Sequence, residues 1–394
     1  MRILVASDAV SAGHHGAAEL SAADAAAAIR TGWLRTSPDD DVRALAVSKP
    51  GGPGLVEAVH ARLGGDLRTT SVPGLLGEPI PASFCLAEGV AYVDAGEVMG
   101  AGLLPREEGA DDSAPVPDLV ERASSRGLGE LLAHVIDGGA RRIVVWLADS
   151  GANDAGAGLL AGLGARSNPD GALTDGPASL DTLESVDLSG ARALTAQVDL
   201  VIATDQNLPL LGLRGTTNLH GAARGLGEDR KVAVDATLER FAAQVDPELA
   251  TRRGAGTAGG AAYGLLALGA RLEPGFATLA DTLGLRAEAR MAEVVLVGHG
   301  QLSWQSLPGS TLAGVAGLAE EVVRPCVALA HTVEIGNREL RANGIEAAYG
   351  ITDTIGDSSA DLMGSSIDAR TAMSDPEAGL AALAERVART WSRS

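Results

Sequence analysis

Ser150-Gly151-Ala152-Asn153-Asp154-Ala155-Gly156-Ala157-Gly158 sets a hydroxyl, a carboxamide and a carboxylate among three glycines. Such groups can hold a hydroxylated or anionic substrate, and a carboxylate can take a hard cation such as Mg²⁺. The plainer alternative for Asn153 and Asp154 is an Asx-turn closing a tight loop. The surroundings favour chemistry. The apolar run 143–147 predicts a buried strand ahead of the stretch, and Leu159, Leu160 and Leu163 return to helical spacing behind it. In open α/β sheets ligands bind where a strand hands over to a helix at the carboxyl edge. A helix start there offers free N–H groups to phosphate.

Other polar turns hang from other apolar runs. Asp8 follows the run 3–6 and can bind Mg²⁺ or a substrate hydroxyl, or cap the segment after it. Asp205 and Asn207 follow the run 198–203 and offer oxygen ligands to Mg²⁺, which takes few carboxylates plus phosphate and water. Gly254, Gly256, Thr257, Gly259 and Gly260 form a turn before a helix, either a phosphate cradle or a place of tight loop packing; no GxxxxGK[ST] accompanies them. His299 stands between Gly298 and Gly300 at the expected end of a strand over 293–297, as a site residue or as an ordinary loop residue. The histidines show no metal spacing, and the adjacent His14 and His15 are ill placed to share one ion. Gly-x-Ser-x-Gly does not occur, and no GxGxxG follows the first strand, so neither a serine hydrolase nor a dinucleotide enzyme is indicated.

The elements that must position these residues alternate. Strands are predicted over 3–6 and 42–47, with a helix between them that starts at Ser21-x-x-Asp24 and another over 55–63. From about Asp66 the pattern turns to antiparallel strands, split by Pro73-Gly74 and Pro79. A helix over 128–136 leads to the strand at 143–147. The last third returns to strands at 293–297, 326–330 and 348–351 and a helix over 376–391. The expected fold class is α/β in two domains: a discontinuous Rossmann-like parallel-sheet domain from 1–66 and 285–394, and an inserted mixed α/β domain from 67–284. The ligand cleft is expected between them.

Composition narrows the function. The chain has 394 residues, 46% of them hydrophobic but only 3% aromatic, so Leu, Val, Ile and Ala must fill its cores. Asp and Glu total 51 against 31 Lys and Arg, a formal charge of −20. That mean field repels nucleic acid and anionic membranes. Any nucleotide must be held by backbone amides, Mg²⁺ or single arginines. Two cysteines, Cys85 and Cys326, make neither a disulfide framework nor a zinc pattern. No apolar stretch approaches the roughly 20 residues of a membrane span, and a cytoplasmic enzyme is the expectation.

Taken together, these motifs resemble the class I glycerate kinases. The likeness rests on 150–158, on Thr204-Asp205-Gln206-Asn207-Leu208-Pro209-Leu210-Leu211-Gly212, on 254–260, and on Gly269-Ala270-Arg271-Leu272-Glu273-Pro274-Gly275 running on to Gly298. The resemblance implies a two-domain fold and phosphorylation of glycerate or a related small hydroxy acid by ATP with Mg²⁺. It implies Asp154 and Asp205 as catalytic and metal-holding residues, and Asp8, Ser150, Asn153, Asn207 and His299 as substrate contacts. Gly254, Gly256, Thr257, Gly259 and Gly260 become the nucleotide cradle, and a homodimer is left open. Several polar positions depart from the family pattern. No lysine follows Asp8 closely, 49–54 lacks acids, and His299, Ser303 and Ser310 stand where a glutamate, an aspartate and a lysine are usual. The alternative is therefore a catalytically impaired member that binds a ligand or regulates.

Overall fold

Runs such as Ile3-Leu4-Val5 and Val294-Val295-Leu296-Val297 are apolar at every position, which suits strands covered on both faces. The computed structural model describes residues 1–11, 19–52, 54–105, 117–351 and 375–392. Its strands in chain order are β1 (Arg2–Ser7), β2 (Val10–Ser11), β3 (Glu19–Leu20), β4 (Asp41–Ala46), β5 (Asp66–Pro73), β6 (Pro79–Ala87), β7 (Val90–Asp94), β8 (Arg142–Trp146), β9 (Arg166–Asn168), β10 (Ser185–Asp187), β11 (Asp199–Ala203), β12 (Arg271–Glu273), β13 (Val294–Leu302), β14 (Cys326–Val333) and β15 (Ile345–Gly350). The protein is an α/β chain in two units: Met1–Ala58 with Phe276–Ser394, and the inserted Val59–Gly275. The boundaries fall inside the helix Leu55–Leu63 and at the start of the helix Gly275–Leu283, where the sequence reading drew them at 66/67 and 284/285. Turn residues mark helix ends, whereas these units change over within continuous helices. The expected surface loop at 105–117 and the His14-His15 pair lie largely or wholly outside the described residues.

In the discontinuous unit five parallel strands run in the order β15-β14-β13-β1-β4. Ile3 and Val5, Val294 and Leu296, and Val327 and Leu329 share one core with Ile29 and Trp33 of the helix Ala22–Thr36 and with Leu380 and Leu383 of the helix Pro376–Trp391. The alternate residues Leu4, Val295 and Ala328 are equally buried and face the other side. Ser21 caps the first helix: its Oγ accepts from Asp24 N at 3.1 Å and donates to Asp24 Oδ2 at 2.6 Å. The two helices touch at Gly32, where a Cβ would lie 1.9 Å from Ala381 O.

From β1 the chain passes through Ala22–Thr36 to β4 on one side, and it returns to β13 on the other. The strand order therefore reverses between β1 and β13, the kind of switch point at which open sheets bind ligands. β13 also runs on to Leu302, with Gln301 paired to Thr332, so Gly298-His299-Gly300 lies within the strand rather than in a loop beyond it. Gly298 permits this, because a Cβ there would meet Ser7 Oγ at 2.1 Å.

The inserted unit holds a mixed sheet in the order β12-β11-β8-β7-β6-β5. β12, β11, β8 and β7 are parallel, and β6 and β5 close it as an antiparallel meander. The helix Arg126–Asp137 buries Leu128, Leu131, Leu132 and Val135, a 3.6-residue stripe. Each such side chain is worth roughly 2 kcal/mol of transfer free energy. Gly129 lets this helix meet Ala157–Gly162, since a Cβ would lie 2.2 Å from Leu159 O.

Candidate active site

The inserted unit concentrates its polar groups past the carboxyl ends of β8 and β11. Ser150 closes its own turn: Oγ accepts from Ala152 N at 3.0 Å and donates to Ala152 O at 3.2 Å. Asn153 is fully buried and donates from Nδ2 to Thr217 Oγ1 at 3.0 Å. The cation that ties this loop down is Arg224, only 3% exposed. Its Nε donates to Ser150 O at 2.8 Å, and Nη1 donates to Asn153 Oδ1 and Thr216 Oγ1, at 3.4 Å each. Nη2 lies 3.7 Å from Oδ1 of the exposed Asp149. Burial pulls the Arg224 pKa down, and Asp149 opposes that. The nearby His220 is also pulled down, first by burial and then by the Arg224 charge.

Asp154 lies in the same loop but is committed elsewhere. Its Oδ2 accepts from Ser125 N at 2.8 Å, Ser125 Oγ at 2.9 Å and Gly158 N at 3.2 Å, and Oδ1 accepts from Gly156 N at 3.0 Å. Burial pushes its pKa up against these four bonds. Three of these donors converge on Oδ2 and one reaches Oδ1, so the carboxylate is engaged chiefly in holding its own loop. Asp205 is exposed, and its Oδ1 accepts from Gly275 N at 2.9 Å at the start of the helix Gly275–Leu283. Asn207 is exposed near it in sequence.

Residues 254–260 are all buried. Their glycines answer to backbone packing. A Cβ at Gly256 would lie 2.1 Å from Pro209 O, at Gly259 1.8 Å from Ala152 O, and at Gly260 2.5 Å from Ala155 Cα. Ala258, Gly259 and Gly260 are successively left-handed, with φ of 52°, 65° and 90°, so the turn locks the 150–158 loop to the 208–210 segment. Thr257 is fully buried and its hydroxyl has no hydrogen-bond partner.

The discontinuous unit presents a second polar group at its switch point. Asp8 Oδ2 accepts from Thr311 Oγ1 at 2.8 Å, and Oδ1 from Ala9 N at 2.8 Å and Lys49 N at 3.4 Å. Ser48 is buried without a partner for its hydroxyl, and His299 Nε2 is likewise buried and unpartnered. The structure thus groups Ser150 and Asn153 with Arg224 in one unit, and Asp8 with His299 in the other.

Comparison with known proteins decides the family. A family model described as the Glycerate kinase family matches residues 17–392. The chain belongs to the glycerate kinase family. The glycerate 2-kinase of Escherichia coli (strain K12) is 31% identical over 346 residues, spanning 86% of this chain and 88% of that protein. The glycerate kinase of Bacillus subtilis (strain 168) is 30% identical over 360 residues, spanning 89% and 90%. A crystal structure of a protein assigned to glycerate kinase 2 from Salmonella typhimurium LT2 superposes with a TM-score of 0.76 at 26% identity, covering 99% of this chain and 98% of that one. This glycerate kinase family member is accordingly a kinase, the main expectation rather than the binding-only alternative.

The structure gives local uses to the positions that depart from the family pattern. Ser310 caps the helix Thr311–Glu321 by accepting from Ala313 N at 3.1 Å. Ser303 accepts from Ser306 N at 3.2 Å and closes a turn. The sequence reading missed Asp149, Thr216, Thr217, Arg224, Ser48 and Thr311. Asp149 could have been found as the neighbour of Ser150, but Arg224, in Gly221-Ala-Ala-Arg-Gly225, carries no signal that sets it apart from other arginines. Among the described residues no three His, Cys, Asp or Glu side chains gather as a metal cage, and no helix is long and apolar enough to cross a membrane.

Proposed function

We propose that the protein transfers the terminal phosphoryl group of ATP, as its Mg²⁺ complex, to a hydroxyl of glycerate or a closely related small hydroxy acid. The observation that carries this reading is a buried guanidinium, Arg224, clamped to the strand-end loop Ser150–Asn153 in a member of the glycerate kinase family. A cation held out of water beside hydroxyls and a carboxamide attracts an anion strongly. In a chain of formal charge −20 it supplies local attraction for a phosphate or a carboxylate.

Mg²⁺ keeps most of its water and phosphate ligands and needs only one or two carboxylates. The exposed Asp205 and Asp149 suit that need, and Asp154 does not. We assign Asp154 the task of holding the loop, Ser150 and Asn153 with Arg224 the anionic end of a substrate, and Asn207 a contact at the rim. The 254–260 turn keeps these loops in register, with Thr257 its one orphaned hydroxyl. Phosphoryl transfer is mostly positioning and charge neutralisation, which such a rigid loop provides. The buried free thiols Cys85 and Cys326 accord with a reducing cytoplasm.

Incubation with ATP, Mg²⁺ and D-glycerate, followed by ADP release and phosphorus NMR of the product, tests the reading. Turnover of about 1–100 per second is expected. Absence of a phosphorylated product from glycerate and from a panel of small hydroxy acids overturns it. Arg224→Lys keeps a charge but loses the fork that grips Ser150 O, and is expected to lower kcat/KM roughly 10- to 100-fold.

A further inference from the structure

Three neighbouring strands of the discontinuous unit each bring a polar group to the switch point. Asp8 follows β1, Ser48 follows β4, and His299 lies on β13. Ser48 is 1% exposed and its hydroxyl bonds to nothing, and the Nε2 atom of His299 is buried and equally unpartnered. Buried polar atoms are almost always hydrogen-bonded in folded proteins, so the orphaned hydroxyl and imidazole nitrogen on the strands either side of β1 are open to a polar ligand. The carboxylate between them is already aimed by Thr311 Oγ1, Ala9 N and Lys49 N. A group that offers hydroxyls would satisfy all of these atoms: it can donate to the imidazole and to Asp8, and accept from Ser48.

We propose that this switch point takes the hydroxyl-bearing end of the acceptor, with the His299 imidazole as the base that receives its proton. The inference rests on the phosphoryl-transfer reading above and adds to it the identity of the base. In the step, the acceptor O–H bond breaks and its proton passes to His299 Nε2. The oxygen bonds to the γ-phosphorus of ATP. The bond from that phosphorus to the β–γ bridging oxygen breaks, and its electron pair leaves with ADP. The charges around the imidazole support a neutral base. Burial pushes its pKa down, Asp8 opposes that, and Lys49 adds to it. His331 on β14 follows Ala330, the residue paired with His299, and so points to the opposite face.

The test is the pH dependence of turnover with ATP, Mg²⁺ and glycerate, for the wild type and for His299→Gln and His299→Glu. In the wild type an acidic limb in kcat is expected below pH ~6.5, the ordinary imidazole value. His299→Gln keeps the size and polarity but takes no proton; kcat is expected to fall roughly 100- to 1000-fold with KM for glycerate little changed, and the limb to vanish. His299→Glu restores a base, and part of the rate is expected to return with the limb moved toward carboxylate values. This second variant also covers the case in which His299→Gln does not fold. If the wild type turns over and either variant keeps its rate and its pH profile, the base is not His299 and only this inference falls. If the wild type phosphorylates no acid at all, the phosphoryl-transfer reading itself fails and takes the base with it.

Discussion

At the scale of single residues, Asp154, which the sequence offers as a catalytic and metal-holding candidate, also holds its own loop in place. Asp154 receives two main-chain N–H groups from its own loop, and one more with a hydroxyl from Ser125. Asp154→Asn puts an NH₂ where donors already point, leaving buried donors unmatched. The expected cost is about 3 kcal/mol of unfolding free energy, read by urea denaturation. The fraction that folds is expected to keep its nucleotide and Mg²⁺ affinity, whereas a metal ligand would lose both. Ser150, Asn153, Asp8 and His299 were legible because each ends or follows an apolar run. Arg224 was not, because it reaches the site from a turn about 70 residues downstream in the chain, a contact made only by tertiary folding.

Between elements, the glycines carry information that the sequence shows only as composition. The 254–260 run reads equally as phosphate cradle or as close packing, and the structure shows how tightly backbone approaches Gly256, Gly259 and Gly260. Gly259→Ala adds a methyl 1.8 Å from Ala152 O at a left-handed φ of 65°, and is expected to destabilise by more than about 2 kcal/mol and to lower activity with it. The opposite case is Val323, which follows the helix Thr311–Glu321 with φ 57° and a side chain 83% exposed. Its N–H bonds Glu320 O, and Arg324 N bonds Ala319 O, the pattern of a helix end that favours glycine. Val323→Gly relieves about 1 kcal/mol of strain, and a melting temperature higher by a few degrees is expected. Periodicity placed most strands and helices to within a few residues. It failed at β13, where Gly298 and Gly300 read as a strand's end. There the glycine makes room for Ser7 on the neighbouring strand and the pairing continues, a fact of the sheet that one strand's sequence cannot carry.

For the molecule as a whole, the discontinuous organisation follows from two parallel-type patterns at the chain's ends flanking an antiparallel texture in its middle. Charge is the property that acts over this scale. An excess of 20 acidic residues gives a field that opposes the approach of anions, among them the hydroxy acid and nucleotide proposed above. Arg224 works against that field only close by, because Asp149 stands 3.7 Å from its outer nitrogen. At low salt the Debye length is about 30 Å and the mean field reaches the incoming anion, while near 0.15 M it shrinks to about 8 Å and only the local arginine is felt. With Mg²⁺ saturating, kcat/KM for nucleotide is therefore expected to rise roughly two- to tenfold as NaCl goes from about 10 to about 150 mM, with kcat unchanged. Most surface-charged enzymes that steer anions show the reverse slope. A fall in kcat/KM over that range, measured by stopped-flow or initial rates, would mean that a local positive potential dominates the encounter and that the net charge is irrelevant to it.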